Sequence, residues 1–93
     1  IKRRFKEKHF PEVNEMIKKF RYGAMDQEGY ISSETLWDAR DPFVVVVASN
    51  WRSIKDWNVW KNSEQRLKER EKLEAFLDGE TAYEVYEMGM YPH

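Results

Sequence analysis

Residues 43–48, Phe-Val-Val-Val-Val-Ala, form the most apolar run in the chain, and they lead directly into a stretch rich in tryptophan. Three of the four tryptophans, Trp51, Trp57 and Trp60, fall within ten residues of one another. A continuous run of β-branched residues reads as a strand covered on both faces, whereas an alternating pattern would be covered on one. Tryptophan is large and carries a single N–H donor, so three of them at the exit of such a strand need room and partners. The segment therefore requires a central strand that passes straight into a helix.

The flanking sequence supplies the other elements. Residues 1–5 alternate apolar and basic side chains and read as a half-buried strand. Val13, Met16, Ile17, Phe20 and Ala24 then recur at helical spacing behind Pro11, which suits a first helical turn, so a helix is expected over about 10–25. Asp26-Gln27-Glu28-Gly29 is a polar break. Residues 30–37 read as a strand, with Ile31, Ser33, Thr35 and Trp37 on one face. The turn Asp38-Ala39-Arg40-Asp41-Pro42 joins it to the valine strand as a hairpin.

Ser53 and Ser63 are each placed to cap a helix, so the second helical region divides into 53–60 and 63–77. Glu64 with Lys68 and Arg70 with Glu74 lie four residues apart on a solvated face, and Leu67, Leu73, Phe76 and Leu77 form the apolar side. Residues 81–88 alternate and read as a last strand. The order β-α-β-β-α-β is the ferredoxin-like plan, an α+β fold with a four-stranded antiparallel sheet and two helices on one face. The opposite face is left without cover, and a second copy of the chain is the simplest cover, giving a homodimer.

Ninety-three residues suffice for one domain, spanning 1–93. The net charge of −1 argues against a general polyanion binder, although residues 1–21 carry eight basic residues against three glutamates. RNA-recognition modules share this strand order but need glycines and aromatics on the central strands. Residues 43–49 contain one aromatic and no glycine, so no nucleic-acid partner is expected. No apolar run approaches the roughly 18 residues of a membrane span. Cysteine is absent, and His9 and His93 form no cluster with carboxylates, so no protein-built metal site is expected. The chain starts at Ile1, so a few upstream residues are expected to be missing, and cytoplasm is the default location.

Three segments together resemble the antibiotic biosynthesis monooxygenase family of the dimeric α+β-barrel superfamily. They are Gly29-Tyr30-Ile31-Ser32-Ser33-Glu34-Thr35-Leu36, the valine strand ending in Ser49-Asn50-Trp51-Arg52-Ser53, and Trp57-Asn58-Val59-Trp60-Lys61-Asn62-Ser63. The resemblance spans nearly the whole chain. It implies two sheets packed face to face in a dimer, with a pocket between sheet and helices in each subunit. Some members oxidise aromatic phenols with molecular oxygen and no metal or flavin, and others degrade haem. The haem branch pairs a helix tryptophan with a histidine ten residues later and a first-strand asparagine. Trp60 matches the tryptophan, but Arg70 stands at the histidine position and the strand position falls near Arg4. Arginine has no lone pair to offer iron, which argues against haem.

The resemblance leaves a cofactor-free oxygenase of a small aromatic or quinol-like substrate as the leading expectation. A non-catalytic ligand-binding or sensory dimer is the alternative. The expected site residues are Trp60, to stack on a ring or donate its N–H, and Arg70 or Arg4, to stabilise a phenolate. Trp51 and Trp57 are expected to pack. Tyr83, Tyr86 and Tyr91 form an aromatic stripe expected at the dimer interface. Arg3 and Arg4 alternate, so only one of them can face the helices.

Overall fold

The computed structural model describes residues 1–6 and 10–89. Its elements are β1 (Lys2–Arg4), α1 (Phe10–Met25), β2 (Tyr30–Trp37), β3 (Val44–Trp51), α2 (Ile54–Lys61) and α3 (Glu64–Glu74). The sheet has the order β1-β3-β2 and both pairings are antiparallel, so the valine strand is central. Position in the sheet explains its composition, because a central strand has neighbours along both edges and helices over one face.

The helix-facing side of the sheet presents Arg3 and Phe5 from the first strand and Val45 and Val47 from β3. Phe5, Val13, Ile17, Val45 and Leu73 form the buried core, with Met16, Phe20, Phe76 and Leu77 packed against it. On the other face Val44 is buried, Val46 is half-buried and Ala48 is exposed. Cover on both faces thus holds at the start of β3 and fades towards its end.

Local chemistry sets the boundaries. Asp38 Oδ1 accepts from the backbone N–H of Arg40 and of Asp41, which turns the β2–β3 hairpin. Gly29 has φ +84°, and a Cβ there would lie 2.2 Å from Asp56 Oδ2, so only glycine fits beneath the start of α2. Ser53 Oγ accepts from Asp56 N and caps α2, and Ser63 Oγ accepts from Arg66 N and caps α3. The second helical region is therefore two helices meeting at Asn62-Ser63.

Two expectations need correction. The pairing shifts between Tyr30 and Ser32, so Ile31 is an extra residue and turns outward, 62% exposed. The shift also breaks the strict alternation expected of β2. The strand expected over 81–88 does not form. The chain after α3 follows the free edge of β1 through single bridges, Phe5 with Leu77 and Lys2 with Ala82, in the place of a fourth strand. Between the two bridges the pairing is interrupted, and Gly79 takes φ +105° there. No helix among the described residues is long and apolar enough to cross a membrane.

Candidate functional site

Strand alternation sends Arg3 into the space between sheet and helices, where only 3% of it is exposed. Arg4 points the other way. It forms ion pairs with Asp41, at 3.0 Å, and with Asp78, at the surface. The inward arginine of β1 is therefore Arg3, and Arg4 lies outside the space it was expected to serve.

That space is a cavity of about 40 Å3, bounded by β1, β2, β3, α1, α2 and the start of α3. Trp51, Trp57, Trp60 and Phe20 supply its aromatic walls. All three clustered tryptophans line it, including the two expected only to pack. Trp51 stands at the strand end, edge-on to Tyr30 at 5.6 Å, and donates its indole N–H to Ser49 Oγ at 2.9 Å. Trp57 lies 5.9 Å from Trp51, centroid to centroid. Trp60 is 3% exposed and runs against α1 at Gly23, where an added Cβ would come within 2.7 Å of its ring.

A second arginine enters from α3. Arg66 is 1% exposed; its Nη1 donates to Lys61 O at 3.2 Å and its Nη2 to Tyr83 Oη at 3.1 Å. Its guanidinium lies within 5.7 Å of the centroids of Phe20, Trp57 and Tyr83, a cation–π cage. Arg3 shares the Phe20 ring at 5.0 Å. Among the described residues, Arg3 Nε and Nη2 have no hydrogen-bond partner. Burial pushes the Arg3 guanidinium down to about 10, the positive charges of Arg66 and Arg70 act the same way, and Tyr83 opposes them. It stays protonated at neutral pH.

Burial alone would raise the Tyr83 phenol, but the hydrogen bond and charge of Arg66, with Arg3 and Arg70 beyond it, outweigh burial and hold it below the ordinary tyrosine value. Tyr83 thus faces the arginines. Tyr86 is 81% exposed, and Tyr91 lies outside the described residues, as do His9 and His93.

Arg70 does not line the cavity. It borders an outer groove of about 400 Å3, together with Glu74, Thr81 and Tyr83, and its Nε lies 3.6 Å from Glu74 Oε1. Trp60 is therefore the one expected site residue that lines the cavity, whereas Arg4 and Arg70 lie elsewhere. Among the described residues, neither carboxylate nor histidine lines the cavity. Among the described residues no group of three His, Cys, Asp or Glu side chains could hold a metal ion.

Arg66 was hidden in the charged run Glu64-Gln65-Arg66-Leu67-Lys68. One signal could have found it: it lies seven residues before the buried Leu73 and so on the same helical face.

Comparison with known proteins bears on this architecture. A protein of Nitrosomonas europaea, provisionally described as an antibiotic biosynthesis monooxygenase, is similar at TM-score 0.81 and 20% identity, over 98% of this chain and 86% of that one. A conserved protein from Methanosarcina mazei Go1 is similar at TM-score 0.80 and 18% identity, over 87% and 80%. SnoaB, a cofactor-independent oxygenase from Streptomyces nogalater, is similar at TM-score 0.74 and 14% identity, over 99% and 93%. At these identities the likeness is one of fold. No curated protein matches the chain in sequence. The family model for antibiotic biosynthesis monooxygenase matches residues 1–72, which hold every element from β1 into α3, and the chain belongs to that family.

Proposed function

We propose that this domain is a cofactor-independent oxygenase of a small aromatic or quinol-like substrate, working as a homodimer through the open sheet face. The observation that carries the reading is the cavity itself, where Trp60 and three further aromatic rings surround two buried arginines. Membership of the family and the likeness to a cofactor-independent oxygenase support it.

Without an external reductant, the substrate must supply every electron that oxygen takes up. A phenol can do so: one ring C–H becomes C=O with one oxygen atom of O2, the phenol becomes a quinone carbonyl, and the second oxygen atom leaves as water. The first requirement is an electron-rich phenolate in a site that excludes water. In this reading Trp60 holds the ring and Arg3, rather than Arg4, stabilises the phenolate. Arg70 meets the substrate at the outer groove.

One observation favours the second reading, binding without turnover. With no carboxylate or histidine on the cavity wall among the described residues, removal of the phenol proton falls to the arginines' effect on substrate acidity or to Tyr83. Oxygen uptake with a panel of dihydroxy-aromatics separates the two. The oxygenase reading expects uptake by the wild type that falls at least about tenfold in Trp60→Phe, as for a lost transition-state contact, and a smaller loss in Arg70→Ala. Turnover unchanged in Trp60→Phe removes that residue from the site, and no uptake on any substrate leaves the binding reading.

A further inference from the structure

The inner cavity, at about 40 Å3, has room for roughly three water molecules and is too small for an aromatic ring. The outer groove, at about 400 Å3, is within the range of small-ligand sites. One hydrogen bond links their linings. Arg66 belongs to the cavity lining, Tyr83 to the groove lining, and Arg66 Nη2 donates to Tyr83 Oη across 3.1 Å. Tyr83 is carried on the segment after α3, which is joined to β1 by the Lys2–Ala82 bridge, the Asp78 N–H to Arg4 O bond and the Arg4–Asp78 ion pair rather than by a continuous ladder. Its ring is held by contacts that a flat ligand could replace: Lys61 Nζ 4.3 Å above it and Trp57 tilted beside it at 6.3 Å.

Among the described residues, no carboxylate lines the inner side. Two guanidiniums are buried there around Phe20, and one of them has two donor nitrogens without partners among the described residues. The charges acting on Arg3 are those of Tyr83, Arg66 and Arg70, and none of these is a carboxylate. Unpaired buried donors are rare in folded proteins because each carries a desolvation cost that only a partner offsets. An oxyanion attached to a flat ring supplies both missing parts, an acceptor for Arg3 and a face for the tryptophans.

We infer that Tyr83 is a displaceable stand-in for the ligand: an aromatic oxyanion enters from the outer groove, takes the place of the phenol on Arg66, and sets its oxygen between Arg66 and Arg3. The inference rests on the reading of the cavity as the substrate site and narrows the ligand class to aromatic anions, phenolates first, with the neutral phenol and its ethers as the species rejected. It also makes Tyr83 a specificity-determining residue, since a ligand must compete with a phenol to reach the arginines. Displacement joins groove and cavity, so the size of the inner space stops being a limit.

The test uses 4-nitrophenol, whose phenolate absorbs visible light and which serves here as a binding probe in the absence of oxygen. Titrated into the wild-type protein, the bound probe is expected to ionise about one pH unit lower than the free probe, equivalent to about tenfold tighter binding of the anion. 4-Nitroanisole, with the same ring but no acidic proton, should compete at least about tenfold more weakly. Arg3→Met should abolish the ionisation shift and Arg3→Lys should retain part of it. Tyr83→Phe deletes only the competing hydroxyl and should tighten phenolate binding by about two- to tenfold, the worth of one hydrogen bond. A purely structural Tyr83 would instead weaken binding or leave it unchanged, and that result overturns the inference. So does 4-nitroanisole binding as tightly as the phenolate, or an unshifted ionisation. Anion binding with these signatures but no oxygen uptake on any phenol would sink the oxygenase reading and leave the stand-in role of Tyr83 intact.

Discussion

Strand geometry sends Arg3 and Arg4 to opposite faces of the sheet, and the two guanidiniums meet different surroundings. Arg4 finds Asp41 and Asp78 at the surface, while Arg3 finds aromatic rings and a second cation. The alternation was legible in the sequence, and its phase was not. Residues 1–5 present an apolar or basic residue at every position, so either face could have been the inner one until Phe5 and Val45 fixed it by packing. Gly23 is a second case. Glycine inside a helix ordinarily costs about 1 kcal/mol relative to alanine. Here a Cβ would approach Trp60 Cη2 to 2.7 Å and Gln65 Nε2 to 2.8 Å. The glutamine can swing away, but the buried indole cannot. Gly23→Ala is therefore expected to destabilise by about 1–2 kcal/mol, against its helix propensity. A lowered urea midpoint with an unchanged slope is the expected signature, and a raised midpoint would show that the Trp60 ring is free to move.

At the level of elements, the boundaries that chemistry fixes locally were readable and those that neighbours decide were not. Both helix caps, Ser53 and Ser63, follow from a hydroxyl placed just before a helix-forming run, and both make the expected bond. The cap at Ser63 also places the site, since its hydroxyl accepts from the backbone N–H of Arg66. Ser63→Ala is expected to cost about 1 kcal/mol of stability and to speed hydrogen exchange at the Arg66 amide. Stability and exchange both unchanged would mean that the start of α3 is held by packing alone. The stretch after α3 shows the opposite situation. Its alternating pattern suits a strand, yet along the edge of β1 it makes only single bridges. The same pattern placed Tyr83 in an aromatic stripe and gave no sign of its hydrogen bond to Arg66.

For the molecule as a whole, the outer sheet face is the feature that matters. Leu36 is 49% exposed there, beside the exposed Ala48 and the half-buried Val46. Covering this surface in a second copy is the proposed solution. Sedimentation at micromolar concentration is expected to give twice the chain mass of 11.3 kDa, and Leu36→Asp should return the monomer. A wild-type monomer would remove the dimer from the proposed function. The β-α-β-β-α order and the family could be read from the spacing of apolar residues and from the tryptophan segment, because both reflect burial along one chain. The charged interior could not, since a buried arginine and a solvated one look alike in sequence. That interior has a thermodynamic consequence. A guanidinium held in the core with donors unused lowers the stability of the empty domain, and any anion that reaches it returns stability in proportion to the logarithm of its concentration. The melting temperature of this domain is therefore a property of the solution as much as of the chain: chloride, acetate and phosphate buffers of equal pH and ionic strength should rank by how well their anions fit between Arg3 and Arg66.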